Sequence, residues 1–156
     1  LKLDPSRNDS YKVTFHDSYK PSRAMGLLDE PRYVIQNVCN HFYDMPENTI
    51  REQTFCCGSG SGLNTEEVMD LRLRGGLPRA NAVKHVNEKY GVNMLACICA
   101  IDRAAFPPLL EYWVPEVETI GVHELVANAL VMDGEIERTM NLRFEPLKTE
   151  EDESDE

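Results

Sequence analysis

No part of this chain approaches the ~20 consecutive apolar residues that a bilayer span requires, and no leader pattern opens it, so no direct membrane span is expected. Positive charge is scarce: 16 Lys and Arg face 27 Asp and Glu, a formal charge of −11. Without a basic stripe the electrostatic footprint of a nucleic-acid partner is missing, and no nucleic acid is expected. Familiar catalytic signatures are missing as well. There is no Gly-x-Ser-x-Gly elbow, and Gly58-Ser59-Gly60-Ser61-Gly62 lacks the lysine of a phosphate loop. No internal repeat is found. The five cysteines, at 39, 56, 57, 97 and 99, are odd in number. That argues against a secreted disulfide framework and for a reducing, cytoplasmic compartment, with any membrane association supplied through a complex.

What is present is an ordinary globular composition, 42% apolar and 28% charged over 156 residues, enough for one domain with a real core. Six of the last seven residues are acidic, which leaves the body at about −5. The chain therefore divides into a polar lead-in arm (1–10), a folded body (11–135) and an extension with an acidic, disordered tail (136–156). The first residue is Leu1 rather than Met, which fits a processed chain or a piece of something longer.

Periodicity predicts strands at 11–15, 41–45, 92–99 and 117–120. Helices are predicted from 30 to 39 with Pro31 in the first turn, over 66–74, and from 78 to 90 with Gly91 as cap. Two more are expected over 101–106, interrupted at Pro107-Pro108 before 109–113, and over 122–132. Asn64 reads as an N-cap with Glu67 three residues on. Strands alternating with helices imply an α/β fold, a Rossmann-like parallel sheet of about four strands with helices on both faces. Sites in such sheets gather at the carboxyl ends of strands. The loops after the first strand (16–23), around Cys56-Cys57 and from Cys99 onward would then converge at one edge.

Cys56-Cys57 is the centre of interest. Adjacent cysteines do not readily bond to each other, because the ring they close is strained, but both can turn thiolates toward one soft metal or cluster. The glycines from Gly58 onward let the backbone approach closely and take positive φ. Cys99 is a third candidate. Cys97, which shares a strand face with Cys99, is either a ligand or core packing. Asp102 is an oxygen ligand or a helix cap, Tyr19 a phenolate ligand or loop packing, and His16 a ligand, a support behind the ligands or a structural histidine. Cys39, His41, His85 and His123 read as structural, and Arg23, Glu30 and Arg32 as ion-pairing residues.

The residues Asp29-Glu30-Pro31-Arg32-Tyr33-Val34, Val38-Cys39-Asn40-His41-Phe42-Tyr43, Thr54-Phe55-Cys56-Cys57-Gly58 and Gly121-Val122-His123-Glu124-Leu125 carry a family resemblance over roughly 10–132. They resemble the cysteine-rich CCG domain of heterodisulfide reductase catalytic subunits. Within that family the likeness is strongest to the C-terminal domain of the K subunit of the Dsr complex, a membrane-bound electron-transfer assembly of sulfur metabolism. The resemblance implies a non-cubane [4Fe-4S] cluster held by five cysteines. It also implies partners: other subunits of a redox complex, among them a ferredoxin-like or cytochrome b membrane subunit, and a thiol/disulfide carrier protein. Two expected thiolates are replaced here, by Tyr19 after His16-Asp17-Ser18 and by Asp102 in Cys99-Ala100-Ile101-Asp102. The expected cofactor-binding residues are His16, Tyr19 and Gly58, and the expected metal ligands Cys56, Cys57, Cys97, Cys99 and Asp102. The alternatives are a zinc ion, or a cluster-free domain kept as a structural or docking subunit.

Overall fold

The computed structural model describes residues 2–60 and 62–131. Three parallel strands form the sheet, β1 (Val13–Phe15), β2 (Met94–Cys97) and β3 (Glu118–Gly121), in the order β1-β2-β3. Val13 to Phe15 run beside Met94 to Ala96, and Met94 to Cys97 beside Glu118 to Gly121. Among the described residues five α-helices accompany them: α1 (Glu30–Val38), α2 (Met69–Gly75), α3 (Leu77–Tyr90), α4 (Ala100–Trp113) and α5 (Val122–Ala129).

The two-residue period of β2 divides the core. Leu95 and Cys97 turn toward α3 and α4 and pack with Val83, Val86, Phe106 and Leu109. Met94 and Ala96 turn the other way, where Val13, Ile35, Val38 and Leu125 come from β1, α1 and α5. Burying both faces is what a parallel sheet requires, and it explains the unbroken apolar run of β2. Gly91 ends α3 at φ +72°, a left-handed cap that lets the chain turn straight into β2. The N-terminal residues pack against this body. The buried Asn8 amide donates to Val38 O at 2.8 Å and to Leu125 O at 2.9 Å, tying α1 to α5.

Several sequence expectations need correction. Residues 41–45 do not form a strand; Phe42 makes a single parallel bridge to Val13, so the described sheet has three strands rather than about four. The bridge stops there because Asp44 is drawn to Arg32 instead, at 2.8 Å, and Pro46 follows. Helix α4 runs unbroken through Pro107-Pro108. The prolines withdraw two N–H donors, those that would reach the carbonyls of Arg103 and Ala104. Burial of Phe106, Leu109 and Leu110 on either side outweighs that loss. Asn64 caps no helix. A 3-10 turn (Glu66–Val68) intervenes before α2 begins at Met69. Helix α5 stops at Ala129, and the acidic tail lies outside the described residues.

One ion-pair cluster fixes the loop after β1. The Arg32 guanidinium donates to both Asp17 oxygens, at 2.7 and 2.8 Å, and to both Asp44 oxygens, at 2.8 and 2.9 Å. Burial opposes the charge on Arg32, but these carboxylates outweigh it and hold its pKa above the usual value. Asp17 also accepts the Arg51 N–H at 2.9 Å, which binds the 16–23 loop to the segment leading to Cys56.

Candidate functional site

The chain leaves β1 at His16, passes Asp17 and Ser18, and enters a π-helical turn (Lys20–Ala24). Arg23 clips that turn to the neighbouring loop, donating to Glu52 O at 2.7 Å and to Thr54 O at 2.6 Å. From β2 the chain turns outward at Ile98 and places Cys99 at the start of α4, with Asp102 in its first turn. Between these walls lies the loop 54–60. Together they enclose a cavity of about 320 Å³ lined by His16, Tyr19, Cys56, Cys57, Cys99 and Asp102, among others. Lys20 and Arg23 also line it, while Phe55 and Ile101 give it an apolar wall. Three separate loops thus meet at the carboxyl ends of β1 and β2.

Cys56 is exposed and Cys57 buried. Cys56 Sγ lies beside the Cys57 thiol and accepts the Gly58 N–H at 3.3 Å, with the Gly60 N–H acting on the same sulfur. Charge is thereby gathered on one atom: Cys56 is held well below the usual thiol pKa. Cys57 is held above it, by its bond to Cys56 and by burial. Gly58 is bound to this geometry, with φ +88°. The Ser59 hydroxyl accepts from Arg72 Nε at 2.9 Å, which anchors the loop to α2.

Behind the thiols lies a buried polar group. Ser18 Oγ donates to Asp102 Oδ2, and His16 Nε2 stands 3.5 Å from the same oxygen. Burial raises the pKa of Asp102, against the lowering effect of its bonds to Ser18 and Cys57. His16 Nδ1 has no partner, its ring edge packs on Phe106, and burial followed by the nearby Arg79 charge drives its pKa well below 6.5. The unfolded chain therefore takes up a proton near pH 6.5 that the folded chain refuses. In that window the unfolded state binds more protons, so stability falls as pH falls, by up to about 1.4 kcal/mol per pH unit. Urea unfolding between pH 7 and 5 is expected to show this slope, and His16→Gln to make it shallower, leaving the part of the same sign that Cys56 contributes because folding lowers its pKa too.

The remaining candidates fall elsewhere. Cys97 is fully buried on the α3/α4 side of β2, its thiol 3.8 Å from Ile120 O and pushed up to about 12 by burial. The strand ends at Cys97, so it does not share the cavity with Cys99. Cys39 lies in the opposite core, raised to about 11 by burial. Tyr19 stands at the cavity mouth, 57% exposed. Ser18 and Arg79 were missed from the sequence. Arg79 was detectable in principle, since it occupies the same helical stripe as Ala82, Val83 and Val86, where an apolar residue belongs.

The donor set can be compared with the cluster that the resemblance implies. Three thiols, Cys56, Cys57 and Cys99, line one cavity, and the vicinal pair with its N–H donors suits a thiolate-bound group. Five thiolates are not there. Tyr19 and Asp102 occupy the other two positions, Asp102 Oδ2 is already engaged, and Cys97 faces the core. Among the described residues no group of three or more His, Cys, Asp or Glu side chains is drawn together tightly enough to hold a metal ion. A five-thiolate non-cubane site therefore does not fit this chain, whereas Cys56, Cys57 and Cys99 supply three thiols of suitable donor chemistry at one cavity without being gathered into a closed ligand set.

Comparison with known proteins finds similarity to part of polypeptides related to heterodisulfide reductase. It is homologous to part of the Hdr-like menaquinol oxidoreductase iron–sulfur subunits: 55% identical over 157 residues to subunit 2 of Archaeoglobus fulgidus and 50% over 155 residues to that of Archaeoglobus profundus. These alignments cover 98% and 97% of this chain but 28% of each relative. A shorter match, 34% over 74 residues, joins 47% of the chain to 17% of a polypeptide of the dihydromethanophenazine:CoB–CoM heterodisulfide reductase of Methanosarcina mazei. No family model and no solved structure matches. Among the described residues no helix is long and apolar enough to cross a membrane.

Proposed function

We propose that this chain is the cysteine-bearing segment of an iron–sulfur subunit in a membrane-associated, Hdr-like menaquinol oxidoreductase, and that the Cys56–Cys57 cavity is its redox centre. The observation that carries the reading is the meeting of Cys56, Cys57 and Cys99 at one cavity built from three loops. The homology to named iron–sulfur subunits supports it. Cys56, Cys57 and Cys99 would hold an iron–sulfur cluster, which when bound supplies one-electron chemistry at a site open to a sulfur-containing substrate. The protein's own share is to aim the thiols, to keep Cys57 and Asp102 from bulk water, and to leave Cys56 accessible at the mouth. Electrons would pass between this centre and a quinol-linked cytochrome b or ferredoxin-like subunit, with a thiol/disulfide carrier protein at the other end. A function of the same kind as that of the K subunit of the Dsr complex fits the same residues.

A second reading is a cluster-free docking or structural segment, or a zinc module. The specific observation in its favour is that Tyr19 and Asp102 stand where thiolates would be needed. Iron and acid-labile sulfide analysis of anaerobically prepared protein separates the two. Stoichiometric iron with thiolate–iron absorption supports the first, whereas about one zinc and no iron selects the second. In the first case Cys56→Ser is expected to lose most of the bound iron while keeping its helical circular dichroism. Unchanged iron would show that Cys56 is not a ligand.

A further inference from the structure

Arg79 is a charged side chain in the wrong place. It is fully buried in α3, at 0% exposure. Its Nη2 donates to Thr49 O at 2.6 Å and to Thr54 Oγ1 at 2.8 Å, and its Nη1 meets the thioether of Met45 at 2.9 Å. Nε has no partner. The guanidinium lies 5.8 Å from the centroid of the Phe55 ring. All these contacts are neutral, and among the described residues no carboxylate makes an ion pair with it.

The two nearest acids are committed elsewhere. Both oxygens of Asp17 accept from Arg32, and Asp102 Oδ2 accepts from Ser18. Burial lowers the pKa of Arg79 to about 10, which leaves it charged at neutral pH. An ion buried without a direct ion pair costs several kcal/mol, which the more distant charges of Asp17 and Asp102 offset only in part. Met or Leu would fill the same stripe on α3 without bringing a charge, at the loss of the bonds to Thr49 and Thr54.

What the cation does face is the back of the dicysteine loop. Its hydrogen bond to Thr54 and its contact with Phe55 lie immediately before Cys56-Cys57. We propose that Arg79 is the built-in counter-cation of the Cys56–Cys57 site, balancing the negative charge held there and so making the centre easier to reduce. The direction follows from Coulomb's law. An electron delivered to the centre by a chemical reductant such as dithionite adds one negative charge, and a fixed cation in a low-dielectric wall stabilises the product more than the reactant. Arg79 is a positioning residue in this sense, since it acts on the field and touches no substrate.

The test has two arms, of which only the second rests on the proposed cluster. In the first, Cys56 is converted to a thiocyanate in a Cys99→Ala background, where it is the exposed thiol among the described residues, and its nitrile stretch is compared with and without Arg79→Met. The nitrile band is expected to shift in R79M and to stay in place in Thr54→Val, which breaks a hydrogen bond but keeps the charge. In the second, redox titration of the iron-loaded full chain is expected to give about a tenfold lower ratio of reduced to oxidised centre in R79M at fixed potential. That corresponds to a midpoint about 59 mV lower for a one-electron couple. Arg79→Gln serves in both arms if R79M does not fold. An unmoved nitrile band, or a Thr54→Val shift as large as that of R79M, overturns the proposal. Wild-type protein that holds no iron would refute the cluster, and the nitrile arm would still decide the role of Arg79.

Discussion

Arg32→Met is expected to destabilise the protein by about 3–5 kcal/mol, the range for removing one partner of a buried ion pair. Asp17 is fully buried, and its bonds from Arg32 are what its position rests on. The methionine fills most of the space but leaves a carboxylate without its cation. Asp44 suffers less, because its side chain is 32% exposed and water can replace the lost donors. For a domain of this size the loss corresponds to a fall in melting temperature of about 10 °C or more. Thermal unfolding checks it. The double variant Arg32→Met/Asp17→Asn is expected to recover part of the loss, because the orphaned charge is then gone. A loss below about 1 kcal/mol in Arg32→Met would mean that the cluster contributes little.

The second large effect is expected at Gly58. A Cβ there would lie 2.4 Å from Arg72 O and 2.9 Å from Gly76 N, both backbone atoms that cannot swing aside. The left-handed φ adds about 1–3 kcal/mol for any residue with a side chain. Gly58→Ala is therefore expected to cost at least about 3 kcal/mol in total, a size found only where backbone or core must be displaced. The loop has to move away from α2, and it carries Cys57 with it. Urea unfolding would register the energy. Faster reaction of the buried Cys57 thiol with an aromatic disulfide reagent would register the movement. Native stability together with an unreactive Cys57 would contradict this account.

Much of the scaffold could be read from local chemistry. Pro31, Pro78 and Gly91 mark helix ends by what their rings or missing Cβ allow, and these signals do not depend on distant partners. The unbroken apolar run of β2 likewise showed that both of its faces are covered. Reading failed where a distant side chain decides. Residues 41–45 have strand character, yet Arg32 takes Asp44, and no pattern within five residues reveals that competition. Pro107-Pro108 looks like a break because the cost is local while the compensating burial of Leu109 and Leu110 is not.

The cavity was legible in outline, since Cys56, Cys57 and Cys99 follow from loops expected at one edge. Cys97 was ambiguous because alternation assumes that the strand continues, and it ends at Cys97 itself. Ser18 and Arg79 give no sequence signal as strong as a cysteine. Their roles arise only from where Asp102 and Thr54 come to rest.

The clip made by Arg23 has a mechanical consequence. Its side chain belongs to one wall of the cavity, and both carbonyls that it holds, of Glu52 and Thr54, belong to the segment that leads into the dicysteine loop. Neither segment can swing out alone without breaking those two hydrogen bonds and the one from Arg51 N–H to Asp17, so the two are joined into a single lip. A bulky visitor must lift that lip whole, while one small enough to pass beneath it meets the sulfur of Cys56 with the gate still latched.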